Sequence, residues 1–262
     1  MTRSGTRLTA IASGKGGTGK TLLAVSLAQA LAHLGEHILL CDADLGLSNA
    51  GVHLGLGETG DLAGLVAGRK TLHQAVVPVS LGRDRFDLLA APSGSGALAG
   101  AGEAEIDRLI AALQSADAYD RILIDLGAGV GSEVLQLAAR ADDIFLVVSP
   151  DPASITDAYA FAKLLLRRTT TRVPQLVVNM ALNATEGRRV AQALTESARA
   201  FLRCAPEFLG FIPFDARVSD AVRRQTPLLS AFPQSPAATA IESLARRIHG
   251  ENALPLAASG LR

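Results

Sequence analysis

The chain has no tryptophan, and among its 262 residues only two cysteines, two tyrosines and two methionines. Aromatic residues make up 4% of it against 48% hydrophobic residues overall, so its core must be filled by Ala, Leu, Val and Ile rather than by rings. It has no excess of charge of either sign, with Lys plus Arg and Asp plus Glu at 25 each, and therefore no overall field for gathering nucleic acid or anionic lipid. Any such binding has to be local. Cys41 and Cys204 lie far apart, and Cys41 sits inside the apolar run HILLCDAD, which reads as a small core residue rather than a disulfide partner. Without a Cys-x-x-Cys pair, a cluster-carrying iron–sulfur role is excluded. The basic start MTRSGTRLTAIASGKGG has its apolar run cut at Gly14 and Lys15, and no charge-free run of about 18 apolar residues follows anywhere. The chain is read as soluble and cytoplasmic.

What is present is alternation. The runs LTAIAS, HILLCDAD, FDLLAAP, RILIDLG, DIFLVVSP, QLVVNM and EFLGFIP are short and nearly continuous in apolar residues, each followed by helix-like sequence or a Gly-rich turn. That is the βαβ signature of an α/β fold: a mostly parallel twisted sheet with helices on both faces. TLLAVSLAQALAHLG, capped at Gly35, together with EAEIDRLIAALQSA and VAQALTESARAFL, reads as surface helices burying one stripe. Pro92–Glu103 reads as a loop before a helix. The length suits one domain over residues 1–249, with 250–262 as a flexible tail.

GKGGTGKT, Gly14 to Thr21, fits G-x-x-x-x-G-K-[ST] and follows a strand while opening a helix, where a phosphate loop belongs. Gly14, Gly16, Gly17 and Gly19 let the backbone curl so that its N–H groups, that of Thr18 among them, face phosphate, Lys20 reaches the β and γ oxygens, and Thr21 offers a hydroxyl to Mg²⁺. The bland alternative is a glycine-rich turn with chance lysines. Two carboxylates, Asp42 and Asp44, end the second strand, and Asp125 ends RILIDL before Gly127, Gly129 and Gly131. Carboxylates at strand ends beside a phosphate loop suit magnesium and water, although Asp42 equally suits capping of strand-end amides. Asn179 ends another strand, and Pro213 and Asp215 follow the last; Asn179 alone also reads as a turn former.

The second lysine, Lys15, narrows the class. KGGTGKT resembles the deviant Walker A motif, KGGxGK[ST], of the MinD/ParA family of P-loop ATPases, and the resemblance runs along essentially the whole chain. DADLGLSNAGVHLGL, SPDPASITDAYAFAKLL and IPFDARVSDAVRRQTPLLSAFPQSPAA are similar to the flagellar-number regulators of its FlhG (FleN) branch. The resemblance implies ATP and Mg²⁺ as cofactors, ATP hydrolysis, and an ATP-dependent homodimer in which Lys15 crosses to the partner's nucleotide. It assigns Lys15, Lys20 and Asp44 to catalysis, with Asp44 orienting the attacking water, and Thr21, Asp42 and Asp125 to the metal and its hydration shell. Asn49 falls near the dimer contact, and Asn179, Pro213 and Asp215 at the adenine. Leu22 stands where many relatives carry a second Thr, which leaves only its backbone amide for the α-phosphate.

Partners implied by the same resemblance are an FlhF-like GTPase, flagellar switch proteins or a transcription regulator, with attachment to the inner face of the membrane in the ATP state. MTRSGTR leads directly into the first strand and lacks a DQAxxLR-like motif, which leaves GTPase activation unsupported. The last helix pattern, with Ile241, Leu244, Ala245 and Ile248 on one face, reads as packed on the sheet rather than as a membrane anchor. Other readings stay open. ParA-type partitioning would use the pairs Arg167–Arg168, Arg188–Arg189, Arg223–Arg224 and Arg246–Arg247 on DNA, against which the zero net charge argues, and MinD-type division-site positioning would use a membrane. A metabolic phosphotransferase needs an acceptor pocket that no motif supplies.

Overall fold

The computed structural model describes residues 5–44, 49–57, 59–91, 102–169 and 172–250. Eight strands form one sheet in the order β3-β4-β2-β5-β1-β6-β7-β8. They are β1 (Arg7–Ala12), β2 (Ile38–Ala43), β3 (Val77–Leu81), β4 (Asp84–Leu89), β5 (Arg121–Leu126), β6 (Asp143–Val148), β7 (Gln175–Ala181) and β8 (Phe208–Pro213). All neighbours pair in parallel except β3 with β4.

Continuous apolar runs make sense here because both faces of the sheet are covered. Leu39 and Cys41 of β2 and Ile122 and Ile124 of β5 enter one core, with α5 (Glu103–Gln114), α6 (Ser132–Arg140), α7 (Pro152–Arg168) and α8 (Ala184–Leu202). Leu40, Leu123 and Phe145 point the other way, onto α1 (Lys20–His33), α2 (Ala50–Leu54), α9 (Ala216–Arg223), α10 (Leu228–Ala231) and α11 (Pro236–His249). Successive side chains alternate between faces, so each strand feeds two cores. Short helices α3 (Leu62–Val66) and α4 (Leu72–Ala75) complete the described elements.

Two expectations need correction. α1 does not bury one stripe: 11 of its 14 residues are buried, because α2, α10 and α11 cover the side that the sheet leaves free. Its end is as expected, with Gly35 at φ 94° and the amides of Gly35 and Glu36 returning to the carbonyls of Ala32 and Leu31. The run FDLLAAP is the second arm of a hairpin whose strand starts earlier, at Asp84, and whose first arm, β3, was missed. Glu103 opens α5, as the helix pattern EAEIDRLIAALQSA has it, while 92–101 of the expected loop lie outside the described residues, as do the segment 45–48 and the tail 251–262. The stripe of the last helix is as read, with Ile241 and Ala245 at 0% exposure beneath α11.

The two sheet edges differ in their protection. β3 carries Pro78, which has no N–H for a further strand, while on β8 Arg247 of α11 donates to the carbonyls of Phe208 (3.4 Å) and Leu209 (2.8 Å). At the N-terminal ends of the parallel strands, Arg121 is held almost fully buried by Glu36 (2.9 Å) and the Thr9 hydroxyl (3.1 Å). No helix among the described residues is long and apolar enough to cross a membrane.

Candidate functional site

The C-terminal ends of β1, β2, β5, β7 and β8 open on one side of the sheet, and the glycine loop after β1 curls there into the start of α1. Gly17 and Gly19 have φ of 77° and 85°, a region that side chains disfavour. A Cβ at Gly19 would also fall 2.3 Å from Asn179 Nδ2, and one at Gly14 would fall 2.2 Å from the backbone of Asp157 on α7. The loop is thus wedged between α7 and the end of β7. Ser13 Oγ donates to the Lys15 carbonyl at 2.7 Å, and Gly129 N–H donates to the Ser13 carbonyl at 2.9 Å, tying the loop after β5 to this one.

Polar groups at the centre of this arrangement are buried without partners. Lys20 is 7% exposed and pairs with no carboxylate among the described residues. The Thr18 hydroxyl and both carboxylate oxygens of Asp125 are buried and complete no hydrogen bond. Burial and then the negative charge of Asp42, its neighbour in register on β2, push the Asp125 carboxyl up to about 7, against the downward pull of the Thr21 hydroxyl and the Lys20 ammonium. A buried cation, an unsatisfied carboxylate and an unsatisfied hydroxyl beside a loop of amides form a cradle for an anion with its counter-cation, because orphaned buried groups are otherwise costly. The donor set fits magnesium: Thr21 and Asp125 offer hard oxygens, and Mg²⁺ takes few protein ligands when phosphates and water supply the rest. No cluster of three His, Cys, Asp or Glu able to hold a metal occurs among the described residues.

Asp42 and Asp44 divide their work. Asp42, at 0% exposure, accepts the amides of Asp44 (3.1 Å), Asn49 (2.8 Å) and Ala50 (2.8 Å), which is the capping reading left open by the sequence. Asp44 lies on the cavity wall, and a Cβ at Gly127 would stand 3.6 Å from its Oδ1, so the loops after β2 and β5 meet there.

A cavity of about 350 Å³ joins the expected residues: Gly16, Gly17, Gly19, Lys20, Thr21, Leu22, Asp44, Asn49, Asn179, Pro213 and Asp215 all line it. Larger cavities, of about 450 Å³ between α1, α10 and α11 and about 690 Å³ at the opposite ends of the strands, contain no residue of the glycine loop. The 350 Å³ volume falls within the usual range for small-molecule sites. On its far wall, the Asn179 amide donates to the Thr18 carbonyl at 2.7 Å and its oxygen accepts the Met180 amide at 2.9 Å. Asp215 caps two helices, accepting from Arg217 (2.9 Å) and Ala237 (3.1 Å). Burial raises the Asp215 carboxyl, but these amides, with Ser235 and Arg217, hold it below its ordinary value. Both residues border the cavity with much of their bonding capacity already engaged by the protein.

Lys15 stands apart. Its ammonium meets the Asp151 carboxylate at 2.6 Å, both side chains being largely solvated, and the same Asp151 caps α7 through the Ala153 amide. The pairing raises the Lys15 pKa and lowers that of Asp151.

The sequence-level reading missed Ala128, His53, Met180, Phe214, Val218, Ser219 and Val222 on the cavity wall. Val218, Ser219 and Val222 show helical spacing, but nothing local announces that α9 faces the start of α1 across the cavity.

A model of the CobQ/CobB/MinD/ParA nucleotide binding domain matches residues 9–228, from β1 through α9. The chain belongs to this family. As a CobQ/CobB/MinD/ParA domain it is 38% identical over 240 residues to Antiactivator FleN of Pseudomonas aeruginosa, across 91% of this chain and 85% of that protein. It is 28% identical over 245 residues to the flagellum site-determining protein YlxH of Helicobacter pylori, across 93% and 82%. The MinD chain of the MinC:MinD cell division protein complex of Aquifex aeolicus superposes with a TM-score of 0.75 at 30% identity, covering 95% of this chain and 98% of that one. The family accounts for a nucleotide as the anion that the cradle fits.

Proposed function

We propose that the protein is an ATP-driven dimerising switch, hydrolysing ATP to ADP and phosphate, that regulates the number or placement of flagella. The observation that carries the nucleotide reading is the buried Lys20, without a carboxylate partner among the described residues, lining a cavity shared with the glycine loop, with the orphaned Asp125 buried behind Lys20 and Thr21. The flagellar output rests on the likeness to FleN and YlxH.

In this reading the loop amides and Lys20 hold the β and γ phosphates, and Asn179, Pro213 and Asp215 border the base. Thr21 and Asp125 would hold magnesium, with Asp42 behind them fixing the turn that carries Asp44. The metal supplies charge neutralisation at the phosphates. Asp44 orients water for attack on the γ-phosphorus, and Gly127 lets the backbone after β5 approach and withdraw as that phosphate comes and goes. Lys15 exchanges Asp151 for the nucleotide of a second copy, so that each subunit completes the other's site. A charge-assisted hydrogen bond contributes about 1.5–3 kcal/mol, and a symmetric pair shifts dimerisation by roughly two to four decades.

Sedimentation in ATP and in ADP tests this. Lys15→Ala is expected to bind nucleotide yet sediment as a monomer in ATP, while Asp44→Ala accumulates as an ATP-bound dimer without releasing phosphate. A Lys15→Ala protein that dimerises like the wild type removes the role in trans, and unchanged phosphate release by Asp44→Ala removes the water-orienting role. The likeness to MinD supports a second reading, division-site positioning. Trapping partners on the ATP-loaded Asp44→Ala dimer separates the two: flagellar proteins support the first, septum proteins the second.

A further inference from the structure

One wall of the cavity is not explained by phosphate chemistry. His53 of α2 and Ser219 of α9 face the same space as Leu22, which lies one residue beyond the glycine loop. The His53 ring is half-buried, and neither ring nitrogen hydrogen-bonds to any described residue. Burial lowers its pKa, so at neutral pH the ring is the uncharged form with one N–H donor and one bare acceptor. An unpaired imidazole gains little in that position unless a ligand completes it.

The gap it faces is held at a set width. α2 ends at Gly55, at φ 66°, and a Cβ there would fall 2.7 Å from the Gln225 carbonyl just beyond α9, so the two helices touch backbone to backbone. Below, α2 packs on α1 through the buried Leu54. The imidazole therefore looks onto the cavity from a braced position, between the loop that would hold phosphates and the helix beside Pro213 and Asp215. A molecule reaching from one to the other passes it with the part that joins phosphate to base.

We propose that His53 is a nucleoside-contact residue, exchanging a hydrogen bond with a ribose hydroxyl of the bound nucleotide. A hydroxyl is both donor and acceptor and so matches a neutral imidazole in either tautomer. This rests on the nucleotide reading of the cavity, and the test keeps the two apart.

Binding of ATP and of inorganic triphosphate, each with Mg²⁺, is measured by calorimetry on wild type, His53→Ala, His53→Gln and Lys20→Ala. His53→Ala is expected to bind ATP about three- to tenfold more weakly, as for one neutral hydrogen bond, with triphosphate binding unchanged. His53→Gln, which keeps a donor and an acceptor, recovers most of the loss and decides the matter if the alanine variant does not fold. ATP lacking the 2′- or the 3′-hydroxyl binds wild type more weakly but is not further weakened by His53→Ala, because the same bond is already gone. Unchanged ATP affinity in both His53 variants, or an equal loss for ATP and triphosphate, overturns the proposal. Lys20→Ala is expected to lose both ligands; if it retains them, the nucleotide reading itself fails, whatever the His53 variants do.

Discussion

Asp125 is the residue at which fold and function pull in opposite directions. Its carboxylate is buried beside Asp42 without a hydrogen bond, and its pKa is pushed up to about 7. For an acid whose native pKa lies above its unfolded value, the native state binds the extra proton. Stability therefore falls as pH rises from near 4 to near 7, and the full cost is felt above that. In chelator and without nucleotide, Asp125→Asn is expected to be more stable than wild type at pH 8 by roughly 1–3 kcal/mol, with the difference shrinking below pH 5. Urea unfolding of both proteins at the two pH values measures it, and a constant difference across pH would contradict the burial argument. Magnesium with ATP is expected to reverse the order at pH 8, since only the wild type offers the cation the Asp125 carboxylate beside Thr21. The glycine loop and Lys20 were legible because the whole motif lies within eight consecutive residues. The His53 and Ser219 wall was not, because its two sides are more than 160 positions apart and come together only across the folded cavity.

At the level of elements, the strands were easier to read than the helices. Seven of the eight read as apolar runs, and the central ones, buried on both faces, leave no polar alternation to confuse with a helix. β3 escaped because VPVSL contains a proline, is half exposed and pairs antiparallel at an edge. The residues of α1 read as a helix but say nothing of its surroundings, in which α11 lies over its outer side. Close helix contacts of this kind make a second prediction. Gly187 of α8 leaves no room for a side chain: a Cβ there would meet Phe211 of β8 at 2.8 Å. Gly187→Ala is expected to lose about 1–3 kcal/mol of stability in urea titration from overpacking, with ATP affinity unchanged. A gain in stability, as a solvent-exposed helical glycine would give, would show that α8 and β8 pack less closely than described.

On the scale of the whole molecule, one sheet is common to both cores, and each central strand contributes side chains to both. We expect residues 1–249 to behave as one unfolding unit, so that calorimetry gives a single transition whose calorimetric and van't Hoff enthalpies agree. Two resolved transitions would instead divide the chain into separate units. The buried Arg121 at the foot of the sheet is bonded to groups from β1 and from the turn after α1, which ties that end together as the glycine loop ties the other.

The borders of that sheet also constrain how copies of the chain can associate. Pro78 denies an incoming strand a donor on one margin, and the Arg247 guanidinium already occupies carbonyls on the other. Growth by strand addition, which would run on into open fibres, is blocked at both ends. Any pairing of two copies has to use faces other than these margins, and a pair related by a two-fold rotation would leave no unused half of its own contact to extend.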